Sequence, residues 1–314
     1  MATWVKGSAA AGSGAARCVI AALLALAPVV SEAQELEPRA YINAPVGLNF
    51  FIAAYAYSEG GLSTDPSSVL QDAHLNIHAG AIDYTRSLDL WGKSGRIDII
   101  LPYAQLSGTA LAAGQPVERN VSGFGDPRFR ISINLYGAPA LSPREFAAYH
   151  QDLVIGTSIQ VTAPGDQYDP SKLVNIGTNR WSLKPDIGLS KSIGAFILDF
   201  TAGVTFYSKN DDYFGGKTRE QEPIYDTQTN LSYNFGRGAW AALGVNYYRG
   251  GQTTVNGVHN DDELSSSRTG VTLALPVNRR HSIKFNVSRG LFIRTGTDFT
   301  TYGIAWQYRW GTGL

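Results

Sequence analysis

From about residue 46 to its end the chain alternates apolar and polar side chains with a period of two, the spacing that sends neighbours to opposite faces of a β-strand. Residues 128–136 show it most cleanly: Phe129, Ile131, Ile133 and Leu135 share one face, and Arg128, Arg130, Ser132 and Asn134 the other. Tyr302, Ile304, Trp306, Tyr308 and Trp310 repeat the device near the C-terminus. Ten further segments read the same way, near 46–58, 73–88, 96–104, 151–163, 181–191, 195–208, 222–235, 239–249, 265–276 and 281–290. Most are long enough to cross a bilayer as tilted strands of ~9–11 residues. Twelve is an even number, as an antiparallel closed sheet requires.

The connections carry independent information. Those at 59–72, 105–124, 164–180, 209–221, 250–264 and 291–299 are long and polar. Those between them are mostly tight, as at Ile193-Gly194, Gly236-Arg237-Gly238 and Asn278-Arg279-Arg280. Long outer loops alternating with short periplasmic turns are the signature of a transmembrane barrel. The segment 137–150 departs from it, and Pro143 to Phe146 after Ser142 reads as one helical turn. The fold expected is therefore all-β: a transmembrane antiparallel β-barrel of about twelve strands. A water-soluble sandwich would alternate similarly. Against it stand aromatic residues at the strand tips (Tyr103, Tyr136, Trp181, Tyr207, Tyr247, Trp310) and repeated charge on the opposite faces, which a packed core does not tolerate and a wet lumen does.

The N-terminus reads as an export signal. Lys6 and Arg17 precede an apolar run from Cys18 to Val30, and Ser31-Glu32-Ala33 places small residues before a cleavage point after Ala33. The run is too short for a membrane helix. The organisation expected is a signal peptide at 1–33, a periplasmic N-terminal segment at 34–45 and a barrel at 46–314 in the outer membrane. Partners would be outer-membrane lipid, a small-molecule solute and the barrel-assembly machinery. Cys18 is the single cysteine, so the exported chain has no disulfide. With 26 basic and 26 acidic residues there is no charge excess to draw nucleic acid. No phosphate-cradling loop occurs, and no cofactor is expected.

With the apolar faces assigned to lipid, the inward set comprises Arg96, Asp98, Arg128, Arg130, Lys184, Asp186, Asp199, Arg268, Lys284 and Arg309, with Asp226 beside them. Arg96, Arg128 and Arg130 on neighbouring strands would form a cationic ladder for anions, or pair with Asp98 and Asp126 to brace the wall. On the first strand Leu48, Phe50 and Ile52 are read as the lipid face. Phe51, Tyr55 and Tyr57 then fall inside and, with Phe124, form a candidate access site for a hydrophobic solute. Leu75, Ile77 and Ala79 are likewise assigned to lipid. His74 and His78 would then share the lumen face, ~13 Å apart at ~3.3 Å per residue, too far for one metal ion. Loop carboxylates such as Asp65, Asp166, Asp211-Asp212 and Asp261 to Glu263 read as solvated charge. Loop 105–124, with its apolar Leu106 to Ala113, is the best candidate for a plug. A membrane hydrolase would need a Ser–His couple, and neither His150, His259 nor His281 stands beside a Gly-x-Ser-x-Gly elbow.

Several local motifs go further: Glu35 to Tyr41, the Pro45-Val46-Gly47 stretch leading to Asn49, Arg96-Ile97-Asp98, Leu101-Pro102-Tyr103, Gly123 to Arg128, Val161 to Pro170 and Asn179 to Asp186. Together they resemble the outer-membrane transporter family named for the meta-pathway of phenol degradation, over nearly the whole exported chain. The resemblance implies an outer-membrane channel for passive uptake of small solutes, aromatic compounds among them. It implies no catalytic residues. A closed structural or sensory barrel would share the same strands without conducting.

Overall fold

A computed structural model describes residues 36–63, 70–112 and 115–311. The signal-peptide reading and Asp65 lie outside the described residues. Sixteen strand segments form, the first eight being β1 (Leu48–Ser63), β2 (Leu70–Leu90), β3 (Lys93–Ala112), β4 (Gln115–Phe124), β5 (Arg128–Tyr136), β6 (Leu153–Thr162), β7 (Ser182–Ile193) and β8 (Phe196–Tyr207). There follow β9 (Asn210–Tyr213), β10 (Lys217–Gln221), β11 (Ile224–Gly236), β12 (Ala239–Gly250), β13 (Thr253–Val255), β14 (Val258–His259), β15 (Leu264–Pro276) and β16 (His281–Gly311). The long β16 doubles back on itself. Arg309 N donates to Arg280 O at 2.8 Å, and a Cβ at Gly303 would meet the Asn286 side chain. Its first half pairs with β15 and its second with β1, from Leu48↔Gly311 to Ser63↔Gly296. The ring is thus β1, β2, β3, β5, β6, β7, β8, β11, β12, β15 and the two arms of β16: twelve antiparallel strands. Closure leaves no lipid-exposed edge, the condition for strands to cross a bilayer. No helix among the described residues is long and apolar enough to do so.

The expected helical turn forms as α1 (Pro143–Phe146), with Ser142 and Glu145 capping each other. The outer loops hold more structure than their composition indicates. The stretch 105–124 is not a plug loop: β3 continues to Ala112 and β4 returns along it, from Ala112↔Gln115 to Tyr103↔Phe124. The segments β9, β10, β13 and β14 form a separate four-stranded sheet over the outer end.

Two sequence-derived face assignments are corrected by the register. On β2 the inward residues are Asp83, Thr85 and Ser87 in the lower part and Leu75, Ile77 and Ala79 in the upper part, while His74, Asn76 and His78 face out. Period two persists, but the environments exchange near Gly80. That residue pairs with Tyr55 on one side and Tyr103 on the other, so an aromatic level marks the outer edge of the bilayer. Above it the wall is wet outside and dry inside. Leu75, Ile77, Ala104, Leu106 and Phe299 bury one another there, with Val121, Val174 and Ile176 packed against them. Leu106 therefore points inward from a strand. On β1 the lumen receives Phe50, Ile52 and Ala54. Phe51 lies across from Tyr308 and edge-on to Trp306 on the lipid side.

Candidate functional site

Side chains just fill a ring of about eight strands, and a twelve-stranded ring is wider and leaves room inside. Here the chain itself enters. Residues 36–46, expected from sequence to be a periplasmic segment, climb inside the barrel from the periplasmic rim. Val46 N donates to Leu141 O at 2.9 Å, and Asn43 N to Gln151 Oε1 at 3.0 Å. Tyr41 is buried to 3% exposure, its hydroxyl hydrogen-bonded to the Asp186 carboxylate. Gly156 and Gly188, paired across β6 and β7, seat its ring: a Cβ at either would lie 2.2 or 2.4 Å from a ring carbon. Arg39 N donates to Asp199 Oδ2 at 3.1 Å, its guanidinium reaches Asn234 Oδ1 at 3.0 Å, and it stands 5.0 Å over the Trp240 ring. Higher still, Glu37 bridges Arg130 at 2.7 Å and Arg96 at 3.5 Å. Leu36 rests against a second glycine pair, Gly244 and Gly270.

This inner strap sets the electrostatics of the lumen. Arg96 also holds Asp98 at 3.0 Å, and Arg130 lies 3.8 Å from Asp186 and donates to Ser158 Oγ at 3.1 Å. Lys184 bridges Asp226 at 2.5 Å. Two members of the expected ladder, Arg96 and Arg130, are therefore neutralised by carboxylates, while Arg128 is buried at the outer end of β5. Arg268 is spent on the barrel, its Nη2 donating to Phe299 O at 3.0 Å and tying together the arms of β16. Lys284 and Arg309 line the periplasmic half with Arg237, Arg279 and Arg280. Among the described residues, no carboxylate lies within salt-bridge distance of those five.

The structure places Arg96, Asp98, Arg128, Arg130, Arg268, Lys284 and Arg309 along the cavity and Asp186 and Asp199 against the strap, with Lys184 paired to Asp226. The hydrophobic access site does not assemble. Phe51 and Tyr57 face outward, Tyr55 donates to or accepts from His78 Nδ1 at 2.7 Å on the outer surface, and Phe124 packs edge-on to Tyr103 there. The physical reason is the choice of face: Phe50 and Ile52 are as apolar as their neighbours, and on β1 they are the ones inside. With Ala54, Ala81, Ile100 and Pro102 they make an apolar stripe on the lumen wall. What remains open is a cavity of about 1310 Å³ between strap and wall. The strap's role was missed because residues 34–45 carry no strand period; the signal that was present is the recurrence of glycine on lumen faces.

A closed ring of twelve strands with a wet, charge-paired interior and an apolar exterior defines a transmembrane β-barrel of the outer-membrane type. The chain belongs to the family described as "Putative MetA-pathway of phenol degradation", whose model matches residues 58–308. Among solved structures it is similar to the COG4313 outer membrane channel from Pseudomonas putida F1, with a TM-score of 0.76 at 21% identity, covering 88% of this chain and 100% of that one. The transport unit of the autotransporter AIDA-I from Escherichia coli gives a TM-score of 0.49 at 10% identity, covering 94% and 97%. The beta domain of the Bordetella autotransporter BrkA gives 0.48 at 7%, covering 84% and 100%. No curated protein matches the chain.

Proposed function

We propose that the protein is a passive outer-membrane channel for small organic solutes, narrowed from within by its N-terminal strap. One observation carries this reading: a single cavity is lined both by outer-loop residues, Thr178 and Arg180, and by residues of the periplasmic turns, Arg237 and Arg279. Solute would move down its own gradient past the apolar stripe of β1–β3 on one side and paired charges on the other. The stripe suits flat apolar rings, in keeping with the phenol degradation of the family description. The cations at the periplasmic end, which have no carboxylate within salt-bridge distance among the described residues, give a mild preference for anions. Liposome swelling with neutral solutes of graded size tests the proposal. Swelling that falls off with solute size supports a pore of fixed width. Folded protein that leaves every solute excluded supports the closed structural barrel instead.

A further inference from the structure

Three buried hydrogen-bond donors share one neighbourhood at the outer mouth and have no acceptor among the described residues. Arg180 precedes β7 and is 3% exposed, and Arg219 on β10 is 6% exposed. Arg180 stacks 4.2 Å over the Tyr207 ring and Arg219 stacks 5.2 Å over Tyr213. Arg180 Nη2 donates to Gln221 Oε1, but its Nη1, Arg219 Nε and the Tyr213 hydroxyl have no hydrogen-bond partner among the described residues. A buried donor left unmet is destabilising, and more so when charged, so a wall that only has to be closed gains nothing from three in one place. Burial pushes the Arg180 guanidinium below its ordinary value, and the facing Arg219 pushes it the same way.

The carboxylates nearby are already engaged. Asp126 accepts from Gly165 N at 2.6 Å and from Thr178 N at 2.9 Å and its hydroxyl at 2.5 Å. Asp262 accepts from Thr253 N at 2.8 Å and Oγ1 at 2.6 Å. Asp126 offsets only part of the Arg180 charge from a distance, so the site has donors and residual positive charge for one monoanionic group and disfavours a dianion. A planar carboxylate matches a guanidinium fork. Its surroundings are apolar: Tyr207 packs with Ile224, Tyr248 and Leu264, and Tyr213 with Val255, Leu173 and Phe214. Arg180, Tyr207, Ile224 and Leu264 border the lumen cavity, and Arg219 and Tyr213 lie behind Arg180, outside its lining.

We propose that Arg180, Arg219 and the Tyr213 hydroxyl form a binding site for a small organic carboxylate with an apolar body, at the outer mouth of the lumen. This deepens the channel reading and rests on it only for the site's role as a first station on the solute's path. The test is calorimetric titration of the folded, detergent-solubilised protein with benzoate, with benzamide as its neutral isostere and inorganic phosphate as a competing anion. The expected result is saturable benzoate binding, at least tenfold weaker for benzamide and for phosphate, and at least tenfold weaker in Arg180→Gln and in Arg219→Gln. Both variants are checked for native barrel mobility in gels, and the benzoate–benzamide contrast needs no variant. Absence of saturable benzoate binding, equal binding of benzamide, tighter binding of phosphate, or folded Arg180→Gln with unchanged affinity overturns the proposal. Binding is read without transport, so benzoate bound by a protein that conducts nothing would reject the channel and leave the site standing.

Discussion

Replacing Gly188 by alanine puts one methyl group where the strap has its anchor. The new Cβ would lie 2.4 Å from both Cδ2 and Cε2 of Tyr41 and 2.8 Å from Thr201 Cγ2. The ring cannot slide along the wall, because Gly156, the cross-strand neighbour of Gly188, already meets its other edge, so it has to lift off into the lumen. Expelling it forfeits the burial of one aromatic side chain, about 1.5–3 kcal/mol. It also removes the Tyr41 hydroxyl from Asp186 Oδ1, while Ser158 stays on Oδ2, and a hydrogen bond to a charged group is worth about 1.5–3 kcal/mol. A combined loss of roughly 3 kcal/mol shifts the docked-to-free ratio of the strap by about 100-fold. The wall itself should survive, since Gly188 sits within β7 and alanine is tolerated in a strand. Single-channel conductance of Gly188→Ala in a planar bilayer should therefore exceed that of the parent. Tyr41→Ala, which removes the same anchor by the opposite route, should reach a similar value. If both variants migrate as folded barrels and conduct like the parent, the strap does not narrow the path and the reasoning fails.

Glu37→Gln strips the shared counter-charge from Arg96 and Arg130, so the reversal potential in a salt gradient should move toward the anion side; an unmoved potential would mean these pairs do not face the conducting path. Ile131→Arg sets a charge on the lipid face of β5 and should cost about 2–4 kcal/mol in urea unfolding in lipid; a cost near zero would contradict the assignment of that face. Phe50→Ala should slow uptake of phenol into liposomes while Phe51→Ala leaves it unchanged, and the reverse pattern would restore the sequence-based choice of face.

Much of the wall was legible because a strand's period does not depend on its partners. Residues 128–136 alternate in the structure as they do in the sequence, and the closure of the first strand on the last follows from their order. What period two cannot supply is which face is wet. On β5 charge settles it, since Arg128 and Arg130 cannot face lipid. On β1 Phe50 and Phe51 are equal candidates, and only the pairing with β16 distinguishes them. On β2 the same alternation passes from bilayer to water at Gly80, so a residue type keeps its face while the meaning of that face reverses. For the charges the sequence left two roles open, an anion ladder or pairing with Asp98 and Asp126, and the Arg96–Asp98 pair forms. The carboxylate that Arg96 and Arg130 share is that of Glu37, which is distant in sequence and lies on a segment with no periodicity to announce it. The glycine pairs were visible and uninterpreted, because a missing side chain signals a visitor only once the visitor's path is known.

The central claim is a continuous lumen narrowed by the strap and lined at its periplasmic end by a cluster of cations. The measurement that meets it most directly is single-channel recording of the refolded chain in a planar bilayer under a salt gradient. Small discrete conductance steps with a reversal potential on the anion side are the expected result. Silence from demonstrably folded protein would contradict the open lumen, and a cation-selective current would contradict the charge arrangement described for it.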